Sequence, residues 1–141
     1  MTVGAIVQAR LGSTRLPGKA LLDIAGTSMV ARVLDRTSRA QTIDRVILAT
    51  TTTSQDDRLV EYVRGLPVEV YRGDEDDVLD RYYQTAKHYA LDVVVRITSD
   101  CPLLDPSLID QVVHPLLDSS STVDFSANTL VRTFPRGLDV E

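Results

Sequence analysis

The sequence predicts an α/β domain in three layers, a mostly parallel sheet with helices on both faces. Three observations carry this. Apolar runs of strand length alternate along the chain with segments whose apolar residues recur at helical spacing. The runs are continuous, as in strands buried on both faces, and such strands are joined in parallel by right-handed helical crossovers. A chain of 141 residues, 43% of them hydrophobic, is long enough for one compact domain with a real core and too short for two.

Taken in order, Thr2 to Gln8 contains Val3, Ile6 and Val7 and reads as the first strand, ending before a stretch rich in Gly, Ser, Thr and Pro. Met29, Val30, Val33, Leu34 and Thr37 recur at helical spacing, with Arg32, Asp35, Arg36 and Arg39 on the other side, and give the first helix. Val46 to Ala49 is the second strand, and Gln55 to Arg64, with Leu59, Val60 and Val63, the second helix. Val68 to Tyr71 forms a short third strand. Asp77 to Ala90 follows as the best amphipathic helix, carrying Val78, Leu79, Tyr82, Tyr83, Ala86 and Tyr89. Asp92 to Ile97, with three consecutive valines, is the fourth strand, and Ser107 to Leu117 a fourth helix after the turn-forming Pro102 and Pro106. Repeats, linkers and low-complexity segments are absent from the sequence, so residues 1–141 read as a single domain.

Charge and composition narrow the function. A formal net charge of -5 argues against general affinity for nucleic acid, so any phosphate binding must come from a local cationic site. Cys101 is the one cysteine, which rules out an internal disulfide and a cysteine-based metal cage. No apolar run approaches the roughly 18 residues of a membrane span, and a secretory signal pattern is missing at the start of the sequence. A cytoplasmic protein is the expectation.

The local cationic site is the loop after the first strand. Between Arg10 and Leu22 stand Arg10, Arg15 and Lys19 without a single acid, together with Gly12, Ser13, Thr14 and Gly18. Glycines let the backbone approach an anion and turn N–H groups toward it, while Arg and Lys bring full charges. Ligands of open α/β sheets sit at the carboxyl ends of strands, where this loop begins. A Walker P-loop is excluded by spacing, because five residues separate Gly12 from Gly18 and Ala20 replaces the Ser or Thr that holds Mg²⁺. The dinucleotide fingerprint G-x-G-x-x-G is also absent.

Asp100 follows the fourth strand. In a doubly wound strand order 3-2-1-4 it faces the Arg10 to Lys19 loop across the switch point. A hard divalent cation takes one or two carboxylates plus substrate phosphates, so Asp100 is a metal-ligand candidate. The competing role is that Asp100 or Asp105 caps the following turn or helix. The acidic run Asp74, Glu75, Asp76 and Asp77 reads as a solvated helix start. His88 and His114 read as structural, and Tyr82, Tyr83 and Tyr89 as packing. Cys101 reads as a buried unreactive thiol.

The block Gln8-Ala9-Arg10-Leu11-Gly12-Ser13-Thr14-Arg15-Leu16-Pro17-Gly18-Lys19 resembles the opening motif of the cytidylyltransferase-like family. That family contains the acylneuraminate cytidylyltransferases and, closer, spore coat polysaccharide biosynthesis protein F. Arg72-Gly73-Asp74 with Asp77 to Tyr82, Arg96 to Leu103, and Arg132 to Glu141 extend the likeness along the whole chain. The resemblance implies a nucleotide-binding fold like that of the nucleotide-diphospho-sugar transferases, with this chain as the N-terminal part of a longer domain. It implies Mg²⁺-dependent transfer of CMP from CTP to a sugar or sugar acid, with release of pyrophosphate, in surface polysaccharide biosynthesis. Carried over by motif, Arg10, Gly12, Ser13, Arg15 and Lys19 bind the phosphates, Gln8 belongs to the nucleotide site, and Asp100, with Asp139 as a weaker second candidate, holds the metal. Gly73, Asp74 and Arg81 lie beside the base. Lys19 and Arg15 stabilise the leaving pyrophosphate, so that these two and Asp100 form the catalytic set. The opening Gly-Ser-Thr-Arg differs from the Gly-Ser-Lys form of true acylneuraminate enzymes, which leaves the acceptor open. A glycosyltransferase using a finished sugar nucleotide, and a nucleotide-binding unit without chemistry, are the alternatives. A homodimer is compatible with these features, although no apolar stripe is left over to demand one.

Overall fold

The computed structural model describes residues 1–118 and 122–141. Its main sheet has four strands, β1 (Val3–Gln8), β4 (Arg45–Thr51), β5 (Glu69–Gly73) and β6 (Val93–Thr98), in the order β5-β4-β1-β6. All three pairings are parallel, with Ile6 opposite Ile47 on one side and Arg96 on the other. This is the 3-2-1-4 order expected from the sequence, with the switch point between β1 and β6. Two two-residue strands, β2 (Asp23–Ile24) and β3 (Thr27–Ser28), form an antiparallel hairpin ahead of the first helix. Sequence reading missed this hairpin, because strands so short carry no periodicity.

Among the described residues, four α-helices flank the sheet: α1 (Met29–Ser38), α2 (Asp57–Val63), α3 (Val78–His88) and α4 (Pro106–Leu117). Helix α1 starts where Ser28 accepts a hydrogen bond from the Ala31 N–H at 3.2 Å, the usual cap for orphan amides. Asp77 caps α3 through the Asp80 N–H, and Asp105 caps α4 through the Ser107 N–H ahead of Pro106. The helix-start reading of the acidic run therefore holds at Asp77. The expected second helix divides in two: a 3₁₀ turn at Ser54–Asp56 precedes α2.

The period of two along β1 sorts the core. Val3, Ala5 and Val7 join Leu48, Val95 and Ile97 beneath α1, α2 and α4, represented by Val33, Leu34, Leu59 and Ile109. Ile6 and Ala49 face the other way, toward Tyr82 and Ala86 of α3. Three helices thus cover one face of the sheet and one covers the other. Tyr83, expected to pack, is instead 59% exposed, because position 83 falls on the solvent side of α3. Among the described residues, no helix is long and apolar enough to cross a membrane.

Candidate active site

β1 and β6 end side by side, with Gln8 in register with Thr98, and the loop from Ala9 and the turn at Ser99 diverge from there. They enclose a cleft of about 350 Å³ lined by Gln8, Arg10, Ser13, Arg15, Lys19 and Asp100, with Ala9, Thr14, Arg96, Thr98 and Ser99 completing the wall. Four cations and one carboxylate therefore converge in an otherwise acidic protein.

The loop's shape is local. Gly18 adopts φ 71°, a left-handed conformation that a side chain resists. Its N–H donates to the Leu11 carbonyl at 3.0 Å, closing the loop on itself, and Ser13 Oγ accepts the Leu16 N–H at 3.3 Å. The chain then enters a 3₁₀ turn at Lys19–Leu21, whose Ala20 is buried in the core. Lys19 is thereby anchored by its neighbour while its side chain crosses the cleft, and Nζ lies 2.8 Å from Asp100 Oδ2. The Asp100 carboxyl is held below its ordinary range chiefly by the Lys19 hydrogen bond, which outweighs the opposing effect of burial, and Thr98 adds to it. Asp100 does not cap α4; Asp105 does.

Gly12 stands apart from the cleft wall. A Cβ there would come within 3.1 Å of Gln55 Oε1, the end of an exposed side chain on the turn before α2, so Gly12 and that turn are neighbours. Gly73 ends the outer strand β5, and the Asp74 carboxylate accepts the N–H groups of Asp76 and Asp77, both at 2.8 Å. Those two bonds are the chief reason its carboxyl sits below the ordinary range. Arg81 is fully buried on α3 and donates from Nη1 to the carbonyls of Asp74 and Glu75. Among the described residues, its Nε and Nη2 find no hydrogen-bond partner. Burial, with the positive charge of Arg10 adding to it, holds this guanidinium below its usual range. Gly73, Asp74 and Arg81 thus form a second patch next to the cleft instead of lining it.

Asp139 is engaged by Arg132, with Nη1–Oδ1 at 2.6 Å. It also approaches Cys101, since its backbone and charge both act on that thiol. The Cys101 thiol is buried, and burial pushes it above its ordinary value, as expected of an unreactive cysteine. Among the described residues, no group of three or more His, Cys, Asp and Glu is placed to hold a metal ion. The oxygen donors at the cleft, the Asp100 carboxylate beside the Thr98 and Ser99 positions, nevertheless suit a hard cation that draws its remaining ligands from phosphate and water.

Sequence reading missed two residues. Arg96 lines the cleft and pairs with Glu141, whose backbone exchanges both hydrogen bonds with that of Arg96. A charged residue inside a valine-rich strand was the available signal. Asp56, 1% exposed, accepts the Leu11 N–H from behind the loop, and nothing in its sequence neighbourhood marks it.

Comparisons with known proteins bear on the family. Residues 4–134 match the profile of the family described as Cytidylyltransferase. An uncharacterised protein of Methanocaldococcus jannaschii is 42% identical over 85% of this chain and 49% of its own length. The 3-deoxy-manno-octulosonate cytidylyltransferase of Geobacter sulfurreducens is 37% identical over 94% of this chain and 52% of its own. The chain therefore spans about half the length of these curated relatives. Among solved structures, a cytidylyltransferase from Leptospira borgpetersenii superimposes with a TM-score of 0.93 at 38% identity, covering 99% of this chain and 59% of that one. A CMP:2-keto-3-deoxy-manno-octonic acid synthetase complexed with CTP gives 0.76 at 26% identity, over 84% and 48%.

Proposed function

Since the chain belongs to the cytidylyltransferase family, we propose that its cleft binds CTP and serves transfer of CMP to a sugar or sugar acid, with release of pyrophosphate. The observation that carries this reading is the Lys19–Asp100 contact, which puts a cationic loop and a carboxylate on opposite walls of one cleft. Its setting is the synthesis of surface polysaccharide, where activated sugar acids are consumed.

In the reaction, an acceptor hydroxyl oxygen forms a bond to the α-phosphorus as the bond from that phosphorus to the pyrophosphate oxygen breaks, and the hydroxyl proton is released to solvent. Such transfer needs positioning and charge stabilisation more than covalent help from the protein. Arg10 and Ser13 grip the phosphates, and Lys19 and Arg15 stabilise negative charge growing on the departing pyrophosphate. Asp100, with Asp139 as a further candidate, would hold Mg²⁺, which neutralises phosphate charge when bound. Gly73, Asp74 and Arg81 are the candidates for the base side, where the buried Arg81 acts through the Asp74 and Glu75 carbonyls it holds.

Isothermal calorimetry with CTP and Mg²⁺, run beside a pyrophosphate-release assay over a panel of sugar acids, tests the reading. Binding with turnover supports it. Binding without turnover reduces the chain to a nucleotide-holding unit, and consumption of a sugar nucleotide without pyrophosphate release favours a glycosyltransferase. Absence of CTP binding removes it.

A further inference from the structure

Asp56 sits at the position that should cap α2, yet its side chain makes no cap hydrogen bond there. An aspartate before a helix normally satisfies one of the orphan amides of the first turn. Here the carboxylate turns back toward the phosphate loop. Oδ1 accepts the Leu11 N–H at 2.7 Å across 45 positions of sequence. Oδ2 accepts the Thr50 hydroxyl at 3.0 Å, the Thr51 N–H at 3.2 Å, and the Thr51 hydroxyl. Beside it, the Gln55 side chain lies next to Gly12, where a Cβ would stand 3.1 Å from its Oε1. The turn carrying both residues is itself braced by Arg72, which donates to the carbonyls of Thr51 at 2.9 Å and Thr53 at 2.8 Å and pairs with Asp57 at 2.8 Å.

We infer that Asp56 is a positioning residue for the anion-binding loop: through Leu11 and its neighbour Gly12 it sets the direction in which Arg10 and Ser13 meet the phosphates. This inference rests on the proposed reading of the cleft as a triphosphate site. Asp56 does not line the cleft and touches no substrate; it acts by fixing the backbone between two residues that do. The chemistry explains why a carboxylate is required. Both oxygens must accept, one from the loop and one from the end of β4, whereas an amide offers one acceptor and sets a donor against the other N–H. Three donors from the end of β4 meet one carboxylate oxygen and a single N–H from the loop meets the other, so in Asp56→Asn the amide oxygen keeps the β4 side and the amide N–H₂ is set against Leu11, with size and shape retained.

The test combines amide hydrogen exchange with nucleotide binding. In Asp56→Asn, exchange at residues 10–18 is expected to rise by about tenfold or more, while β1 and β4 stay protected. The affinity for CTP with Mg²⁺ should fall by a similar factor, as expected for a lost hydrogen bond to a charged group. Thr50→Val removes a bond to the same carboxylate without touching the loop, and should leave loop exchange within about twofold of the wild type. Loop exchange that does not change in Asp56→Asn, or that rises equally in β1 and β4, overturns the inference. So does a loosened loop with undiminished CTP affinity. Should Asp56→Asn fail to fold, the wild-type Leu11 amide decides: protection matching the sheet supports the clamp, and exchange as fast as at Thr14 and Arg15 refutes it. A wild-type chain that binds no CTP removes the functional reading itself. Equal CTP binding by wild type and Asp56→Asn removes the Asp56 role alone.

Discussion

Lys19 Nζ stands 2.8 Å from Asp100 Oδ2 although 81 positions separate the two residues in the chain. The contact closes the cleft at the switch point of the sheet, and both partners are partly open to solvent. An exposed ion pair of this kind adds little to stability, so its interest lies in what each partner does for a ligand. An ammonium serves phosphate oxygens, a carboxylate serves a cation, and a metal-bound triphosphate presents both.

Lys19→Ala is accordingly expected to leave the fold nearly unchanged and to slow turnover. Loss of a charged donor to developing negative charge costs about 3 kcal/mol, or roughly 10² to 10³ in kcat. Pyrophosphate release under saturating CTP measures it. An unchanged kcat with a raised KM would limit Lys19 to ground-state binding.

The depressed Asp100 carboxyl fixes the pH dependence. A group whose folded value lies below its free value contributes fully above the free value, near about pH 4, and loses that contribution as pH falls through the folded value. CTP affinity with Mg²⁺ should therefore show no step from Asp100 between about pH 5 and 8. Asp100→Asn should lose the metal dependence across that whole range. A wild-type titration step in that window that disappears in Asp100→Asn would contradict the Lys19-held carboxylate.

Arg81 tests the proposed division of the site into a base side and a phosphate side. Its replacement by Met strips a donor from the Asp74 and Glu75 carbonyls, so some loss of stability is expected in any case. The informative quantity is a ratio: CTP affinity should fall by about tenfold more than pyrophosphate affinity. Equal losses would mean that the buried guanidinium supports the structure as a whole and not the base side in particular.

Regular structure in this chain was legible in the sequence because each strand and helix carries its own period. Val93 to Val95, Ile47 to Ala49 and the apolar face of α1 each specify an element without reference to the rest. Given the doubly wound order 3-2-1-4, which the structure has, Asp100 was expected to face the Arg10 to Lys19 loop, and its contact there is with Lys19. Three features were not legible. The hairpin at Asp23–Ser28 is shorter than any period. The exposure of Tyr83 depends on which side of α3 meets the sheet, which helical spacing alone leaves open. Asp56 looks like one more acid at a helix start, and its role arises from a hydrogen bond to Leu11 that chain folding alone brings within reach.

Gly18 offers a test of how the loop's backbone serves Lys19. With φ 71° and ψ 9°, it occupies the left-handed region, where an L side chain costs about 1 kcal/mol or more. A Cβ at this position meets nothing within 4 Å, so substitution probes conformation and not packing. Gly18 accepts the Leu21 N–H at 2.9 Å and donates to Leu11, so a shift in its φ moves the residue that follows it, Lys19. Gly18→Ala is thus expected to lose about 1 kcal/mol in denaturant unfolding and to reduce kcat in the same direction as Lys19→Ala. Gly18→Asn, whose side chain tolerates the left-handed region, should recover most of both. If alanine and asparagine behave alike, the loss comes from the added side chain and not from the turn, and Lys19 is placed by Ala20 and the core beneath it.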